Sequence, residues 1–169
     1  MSDTAASSHP RTEPYARTSD HAIFLSKALL STQRFYQYWE AKRGIRMMPA
    51  RADIDPCEMK PWLAGMQLVD VFHDPRRLVY RLVGQVDVDF RGYNPTGRTV
   101  EECFVGQSLT ETLTNYDIVI SQHKFVYDFA DYVSASGLIR SQECILLPLS
   151  DDDRIVNMVM TFAAVGPTR

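Results

Sequence analysis

Apolar residues recur at steps of three and four through residues 20–43, where Leu25, Ala28, Leu29, Thr32, Phe35, Tyr36 and Trp39 share one face and Lys27, Gln33, Arg34 and Gln37 share the other. That spacing predicts a long helix, with Asp20 suited to cap its start and Gly44 its end. A stripe of this length needs a partner, either the domain's own sheet or a second subunit. Phe35 and Trp39 read as core residues rather than as ligand platforms. The period then changes to two. "MQLVDVFH" (66–73) and "RLVYRLVG" (77–84) flank the turn residues Asp74 and Pro75 and read as a hairpin. Residues 85–123 return to helical spacing, broken at "RGYNPTGR". The last helical piece, 108–123, carries Leu109, Leu113, Tyr116 and Ile120 on one face, with Ser108 and Glu111 placed as a capping box. Three strands close the chain. They span 124–134, where Phe125, Tyr127 and Phe129 alternate with other residues, then 138–149 and 155–165, joined by "SASG" and "SDDDR". Strands bunched at both ends of a helical middle predict an α+β fold: a five-stranded antiparallel sheet with helices on one face and a long N-terminal helix. No internal repeat is visible.

Residues 1–19, "MSDTAASSHPRTEPYARTS", are rich in Ser, Thr, Pro and Ala and lack a period, so they read as a disordered tail. A single domain is expected over 20–165, with a helical extension at 20–64 and a core at 66–165. Between them lies "RMMPARADIDPCEMKPWL" (46–63), where Asp53, Asp55 and Glu58 sit beside Arg46 and Arg51. Asp55 suits a helix N-cap, with Pro56 in the first helical position and Glu58 at the third. Pro61 ends or kinks that short helix. Asp53 has Arg46 or Arg51 as a partner, either locally or across to the core. These charges read as a structural joint, locked by ion pairs or presenting a polar surface to a partner. Two nearby carboxylates act as acid and base only if their environments split their pKa values, and nothing in the spacing supplies that.

Composition adds mainly exclusions. The chain has 169 residues, 45% hydrophobic and 23% charged, a size that supports one sizeable core. A net charge of −3 gives no electrostatic footprint for nucleic acid or an anionic membrane. Cys57, Cys103 and Cys144 are odd in number and widely spaced, which argues for free thiols in a reducing cytoplasm and against zinc. No apolar run is long enough to span a membrane, and the N-terminus lacks the apolar region of a signal peptide. "DDD" (151–153) lacks the glycine and later glutamate of a calcium loop. Motifs for phosphate loops, nucleophile elbows, zinc proteases and dinucleotide binding are missing too, so no enzymatic activity is expected.

The order of elements is that of a PAS domain. "DFRGYNPTGRTVEECF" (89–104) resembles the PAS stretch in which a Gly-Tyr and a Gly-Arg precede a short helix. Together with "YWEAKRG", "RMMPARADIDP", "MQLVDVFHDPRRLVYRLVG" and "LLPLSDD", it resembles the single-domain PAS family common in alphaproteobacteria, the fifth of the PAS profile families, over about residues 25–165. The resemblance implies a PAS-like fold and a sensory or interaction role, with a small molecule enclosed between sheet and middle helices or a switched dimer contact. The cofactor stays unknown. A flavin photosensor needs a cysteine in an Asn-Cys-Arg-Phe-Leu-Gln segment, but Val100 stands there and Cys103 comes three residues later. A haem would take a histidine within the last long helix, and His123 lies at its extreme end, where the helix dipole favours a histidine.

The expected function is therefore that of a non-catalytic signalling module in the cytoplasm, which binds a small apolar ligand or a partner protein. Its output would pass through protein contact. Pocket walls are expected at Phe90, Tyr93, Phe104, Tyr116, Ile120, Tyr127, Phe129, Met158 and Met160, with methionines suiting an adaptable apolar ligand. The alternation leaves open which strand face points inward. In the alternative, the pocket is closed and the chain is a scaffold that forms homodimers through Leu25, Leu29, Tyr36 and Trp39.

Overall fold

A computed structural model describes residues 15–105, 108–133 and 139–166. The hairpin expected from the alternating stretch forms β2 (Met66–Phe72) and β3 (Arg77–Val83), antiparallel, with a register shift between Leu68 and Val69. β4 (Val126–Val133), β5 (Ile139–Leu149) and β6 (Met158–Val165) follow as an antiparallel meander, and β6 pairs back onto β2. The sheet has six strands rather than five. The extra one is β1 (Ala16–Thr18), which lies antiparallel on the outer edge of β4 and gives the order β1-β4-β5-β6-β2-β3. It falls inside the stretch expected to be a disordered tail. Three residues are too few to show a period, and their pairing partner lies more than a hundred positions away. Residues 1–14 of that tail, and the turn expected at "SASG", lie outside the described residues.

Side chains alternate across a sheet, so register decides what each face presents. Tyr127, Glu143, Ile145, Leu147, Met160 and Phe162 share one face. Onto it pack α1 (His21–Lys27) and α2 (Leu30–Arg43). Phe24 meets Tyr127 edge-on at 5.2 Å, Phe35 meets Phe162 at 5.2 Å, and the Trp39 indole donates to the Pro148 carbonyl at 2.8 Å. Val126, Asp128, Cys144, Leu146, Val159, Val69 and Tyr80 share the opposite face. There Asn115 of α4 (Leu109–Gln122) donates to Asp128 at 2.7 Å. Helices therefore cover both faces of the sheet, not one.

The long N-terminal helix expected over 20–43 is not formed. α1 and α2 are separated by Ala28 and Leu29, whose backbones are extended. The interruption has a tertiary cause. Leu29 heads α2 without a side-chain cap. The Glu143 carboxylate, arriving from β5, accepts from its N–H at 3.0 Å and from the Thr32 hydroxyl at 2.5 Å. A carboxylate at a helix N-terminus satisfies orphan donors and meets the positive end of the dipole. Gln33 covers the carbonyl end of α1, donating to the Ala28 and Leu25 carbonyls. The break also changes phase: α1 buries Phe24 and leaves Leu25 39% exposed.

The joint folds locally and then ties to the sheet. Asp53 accepts from the Ala50 N–H at 2.8 Å and pairs with Arg46 at 2.9 Å, while Arg51 donates to the Ile54 carbonyl. The Ala50 hydrogen bond is the main cause that lowers the Asp53 pKa, and Arg46 adds to it. The short helix expected after Asp55 is a series of turns instead. The Asp55 carboxylate does accept from the Cys57 N–H at 2.8 Å. Glu58 turns outward to Lys42 at 2.7 Å and the Tyr38 hydroxyl at 2.8 Å, so it does not complete a cap. The tie to the sheet comes from the triple-aspartate turn: Asp153 accepts from Met47 and Met48 N–H groups, both at 2.9 Å. Gly84, where β3 meets α3 (Gln85–Arg91), has a steric reason. A Cβ there would lie 2.4 Å from the Leu63 and Ala64 carbonyl oxygens.

Candidate functional site

The packed interface between α4 and the sheet is the candidate site. Ser108 caps α4 by accepting from the Glu111 N–H, and His123 ends it in the left-handed region at φ 55°. That frame turns Asn115, Tyr116, Val119 and Ile120 inward. Their surroundings are apolar: Val69, Leu78, Val100, Val126, Leu146 and Val159 are all buried. Set into this wall are a few polar groups. Tyr116 is 4% exposed. Burial pushes its phenol pKa well above the ordinary value, with Tyr80 and Cys144 nearby adding to the rise. Burial likewise raises the Tyr80 phenol and the Cys144 thiol. These groups are all neutral near pH 7, so the wall is apolar with a few dipoles, the usual composition of a small-molecule pocket.

One side of this interface is closed by a cluster that the sequence pattern does not reveal. The Arg91 side chain is 5% exposed and donates Nε to Asp87 at 2.8 Å and Nη2 to the Tyr80 hydroxyl at 3.1 Å; Nη1 donates to the Cys103 carbonyl. Gln67 of β2 also donates to Asp87 at 2.9 Å. Burial works against the guanidinium charge, but Asp87 and Tyr80 outweigh it and hold the Arg91 pKa above its ordinary value. The cluster ties α3 to both hairpin strands and to the turn at Cys103. Its one legible signal was the four-residue spacing of Asp87 and Arg91 on a helix.

The far side is closed by β1. Arg17 donates to the Asn115 side-chain oxygen at 3.0 Å and pairs with Glu111. Asn115 donates to the Tyr15 hydroxyl and to Asp128, each at 2.7 Å, and Tyr15 donates to Asp128 at 3.2 Å. Burial raises the Asp128 pKa to about 6 against the lowering effect of Tyr15, Asn115 and Arg17.

The residues expected as pocket walls do not meet in one place. Tyr116 and Ile120 lie buried under α4. Phe104 is half-buried beyond Cys103. Phe90 is 73% and Tyr93 40% exposed, both on the outside of the helical layer. Tyr127, Phe129, Met158 and Met160 point through the sheet to the α1 and α2 face, so they cannot share a pocket with Tyr116. The physical reason is a one-residue phase: the partners of α4 are the even-numbered residues of β4, and the aromatics fall on the odd ones. Of the dimer candidates, Tyr36 and Trp39 are buried against the chain's own sheet, Leu29 is half-buried and Leu25 is exposed. Two open clefts lie elsewhere. One of about 420 Å³ is bordered by Arg51, Leu68, Arg81, Leu82 and Met158. Another of about 350 Å³ is bordered by Tyr36, Trp39, Arg43, His123 and Phe125, among others. Among the described residues no cluster of three His, Cys, Asp or Glu side chains could hold a metal ion. No described helix is long and apolar enough to cross a membrane.

Comparison with known proteins places this architecture. No curated protein sequence matches the chain. Among solved structures, a light-oxygen-voltage domain studied with a flavin analogue is similar at a TM-score of 0.48 and 10% identity, over 66% of this chain and 83% of that one. An RNA-binding light-oxygen-voltage receptor is similar at a TM-score of 0.41 and 15% identity, over 69% of this chain but only 35% of that one. The family model for the PAS domain matches residues 28–161, from the break before α2 to within β6, and the chain belongs to that family.

Proposed function

We propose that this PAS domain is a non-catalytic sensory module, which encloses a small, largely apolar molecule between the sheet and α4 and passes the change to a partner protein. The observation that carries this reading is Tyr116. It is buried in an apolar wall with Tyr80 and Cys144 close by, and that burial raises its pKa. A polar group set in an apolar wall is the composition that orients a small, largely apolar ligand. Native mass spectrometry of the purified protein, against a denatured control, tests the reading. The expected result is a retained small molecule whose occupancy falls in Tyr116→Phe. If nothing is retained and no metabolite extract raises the melting temperature, the enclosed-ligand reading fails.

A second reading, a ligand-free homodimeric scaffold, is favoured by the exposure of Ile23, Leu25 and Leu30 on the outer side of α1 and α2. It differs from the contact expected at first, because Tyr36 and Trp39 are used inside the chain. Light scattering of Leu30→Glu discriminates: a dimer that becomes monomeric supports the scaffold, and an unchanged state removes it.

A further inference from the structure

The edge of β4 and the adjacent turns of α4 form a groove with a definite chemistry. β1 fills it with only three paired residues: Ala16 opposite Phe129, Arg17 opposite Asp128, and Thr18 opposite Tyr127. Its selectivity comes from two side chains spaced two apart. Arg17 reaches Glu111 and Asn115, and Tyr15 reaches Asp128 and Asn115, with the Arg17 guanidinium 5.4 Å from the centre of the Tyr15 ring. The groove thus supplies two carboxylates, a carboxamide and a strand edge. It reads an extended segment with an aromatic hydroxyl and a cation on the same side. β1 is joined to α1 only through Ser19 and Asp20, so it is a tethered segment rather than part of the meander.

We propose that β1 is a displaceable strand and that the groove it fills is a docking site for an extended segment of a partner protein bearing a tyrosine and an arginine two positions apart. Adding a strand to a sheet edge is an established mode of peptide recognition, in which main-chain bonds supply affinity and alternate side chains supply specificity. Charge complementarity selects this occupant, because Glu111 and Asp128 face the incoming arginine. The chain's own strand competes in cis at an effective concentration on the order of millimolar. The site borders the region expected to hold a ligand, but the strand edge and charged groups that define it stand without one, so this inference does not rest on that reading. Asn115 is nonetheless followed directly by Tyr116, so a shift of α4 moves both.

The test uses the full chain and a labelled peptide of residues 12–20, TEPYARTSD. Tyr15→Ala/Arg17→Ala disables the cis strand. It is expected to bind the peptide saturably, with a Kd of roughly 1 mM or below, and at least about tenfold more tightly than the wild type. Adding Glu111→Lys, or replacing the peptide arginine by glutamate, is expected to abolish binding. Three results overturn the proposal. The double variant keeps its melting transition yet binds no peptide, or binds the charge-reversed peptide equally well. It loses cooperative melting altogether, which makes β1 an integral part of the fold. Or the wild type exchanges its strand with a second copy, seen as concentration-dependent dimers that the double variant does not form, which makes the occupant another molecule of this chain.

Discussion

Glu143 is 6% exposed on β5, and its carboxylate accepts from the Thr32 hydroxyl at 2.5 Å, the Tyr127 hydroxyl at 2.7 Å and the Leu29 N–H at 3.0 Å. Replacing it by leucine keeps the volume and strands those donors in the interior. Each buried donor left without an acceptor costs about 1–3 kcal/mol, with hydroxyls at the low end because they can rotate. Removing the buried charge recovers part of that, since taking a carboxylate out of water was itself unfavourable. The expected net loss for Glu143→Leu is therefore roughly 3 kcal/mol, which in a chain of this size lowers Tm by about 6–12 °C. Glu143→Gln keeps one acceptor oxygen and should lose about 1–2 kcal/mol. Thermal unfolding followed by circular dichroism reads the size. Amide exchange at Leu29 reads the cause, because its N–H is protected through this carboxylate. The triple change Thr32→Val/Tyr127→Phe/Glu143→Leu removes donors and acceptor together and should regain most of the loss. If Glu143→Leu melts within about 2 °C of the wild type, or if Leu29 exchange is unchanged, then this carboxylate does not hold the break between α1 and α2.

Asp128 gives a pH dependence of defined sign. Its pKa rises from 3.8 to about 6 on folding, so the folded protein holds the proton more tightly than the unfolded chain. Its contribution is fully present below the ordinary carboxylate range and is lost as pH rises through about 6, by at most about 3 kcal/mol. Urea unfolding from pH 4 to 7.5 should show this loss in the wild type and not in Asp128→Asn; parallel profiles refute it. Asp153→Ala leaves the buried Met48 N–H unpaired and should cost about 1–2 kcal/mol, whereas Asp153→Asn keeps an acceptor and tolerates the positive φ of 60° better. Equal melting temperatures for the two variants would show that the turn does not tie the joint to the sheet. Gly84→Ala places a methyl 2.4 Å from two backbone oxygens and should destabilise by about 3 kcal/mol or more, read as a shifted denaturant midpoint; a neutral result would mean that α3 moves freely away from residues 63–64.

Local pattern was enough for the elements whose stabilising contacts are periodic along the chain. The hairpin at 66–83, the capped helix α4 and the three-strand meander follow from alternation, turn residues and the Ser108 cap. The family resemblance rested on short stretches such as "RGYNPTGR" and was confirmed over residues 28–161. What the sequence could not convey depends on partners distant along the chain. α1 and α2 separate because a glutamate more than a hundred residues away satisfies a backbone N–H. β1 forms because β4 offers an edge and α4 offers Asn115. The facing of the strands was undetermined for a simple reason. With helices on both sides, β5 over 145–149 and β6 over 158–162 are buried on both faces, and a period of two no longer says which face is which. That is why Tyr127, Phe129, Met158 and Met160 were grouped with Tyr116, although the sheet separates them. The same limit hid Arg91. An arginine beside an aspartate one turn earlier reads as a solvated pair, and only the closure of α3 over Tyr80 and Cys103 buries its charge and makes it structural.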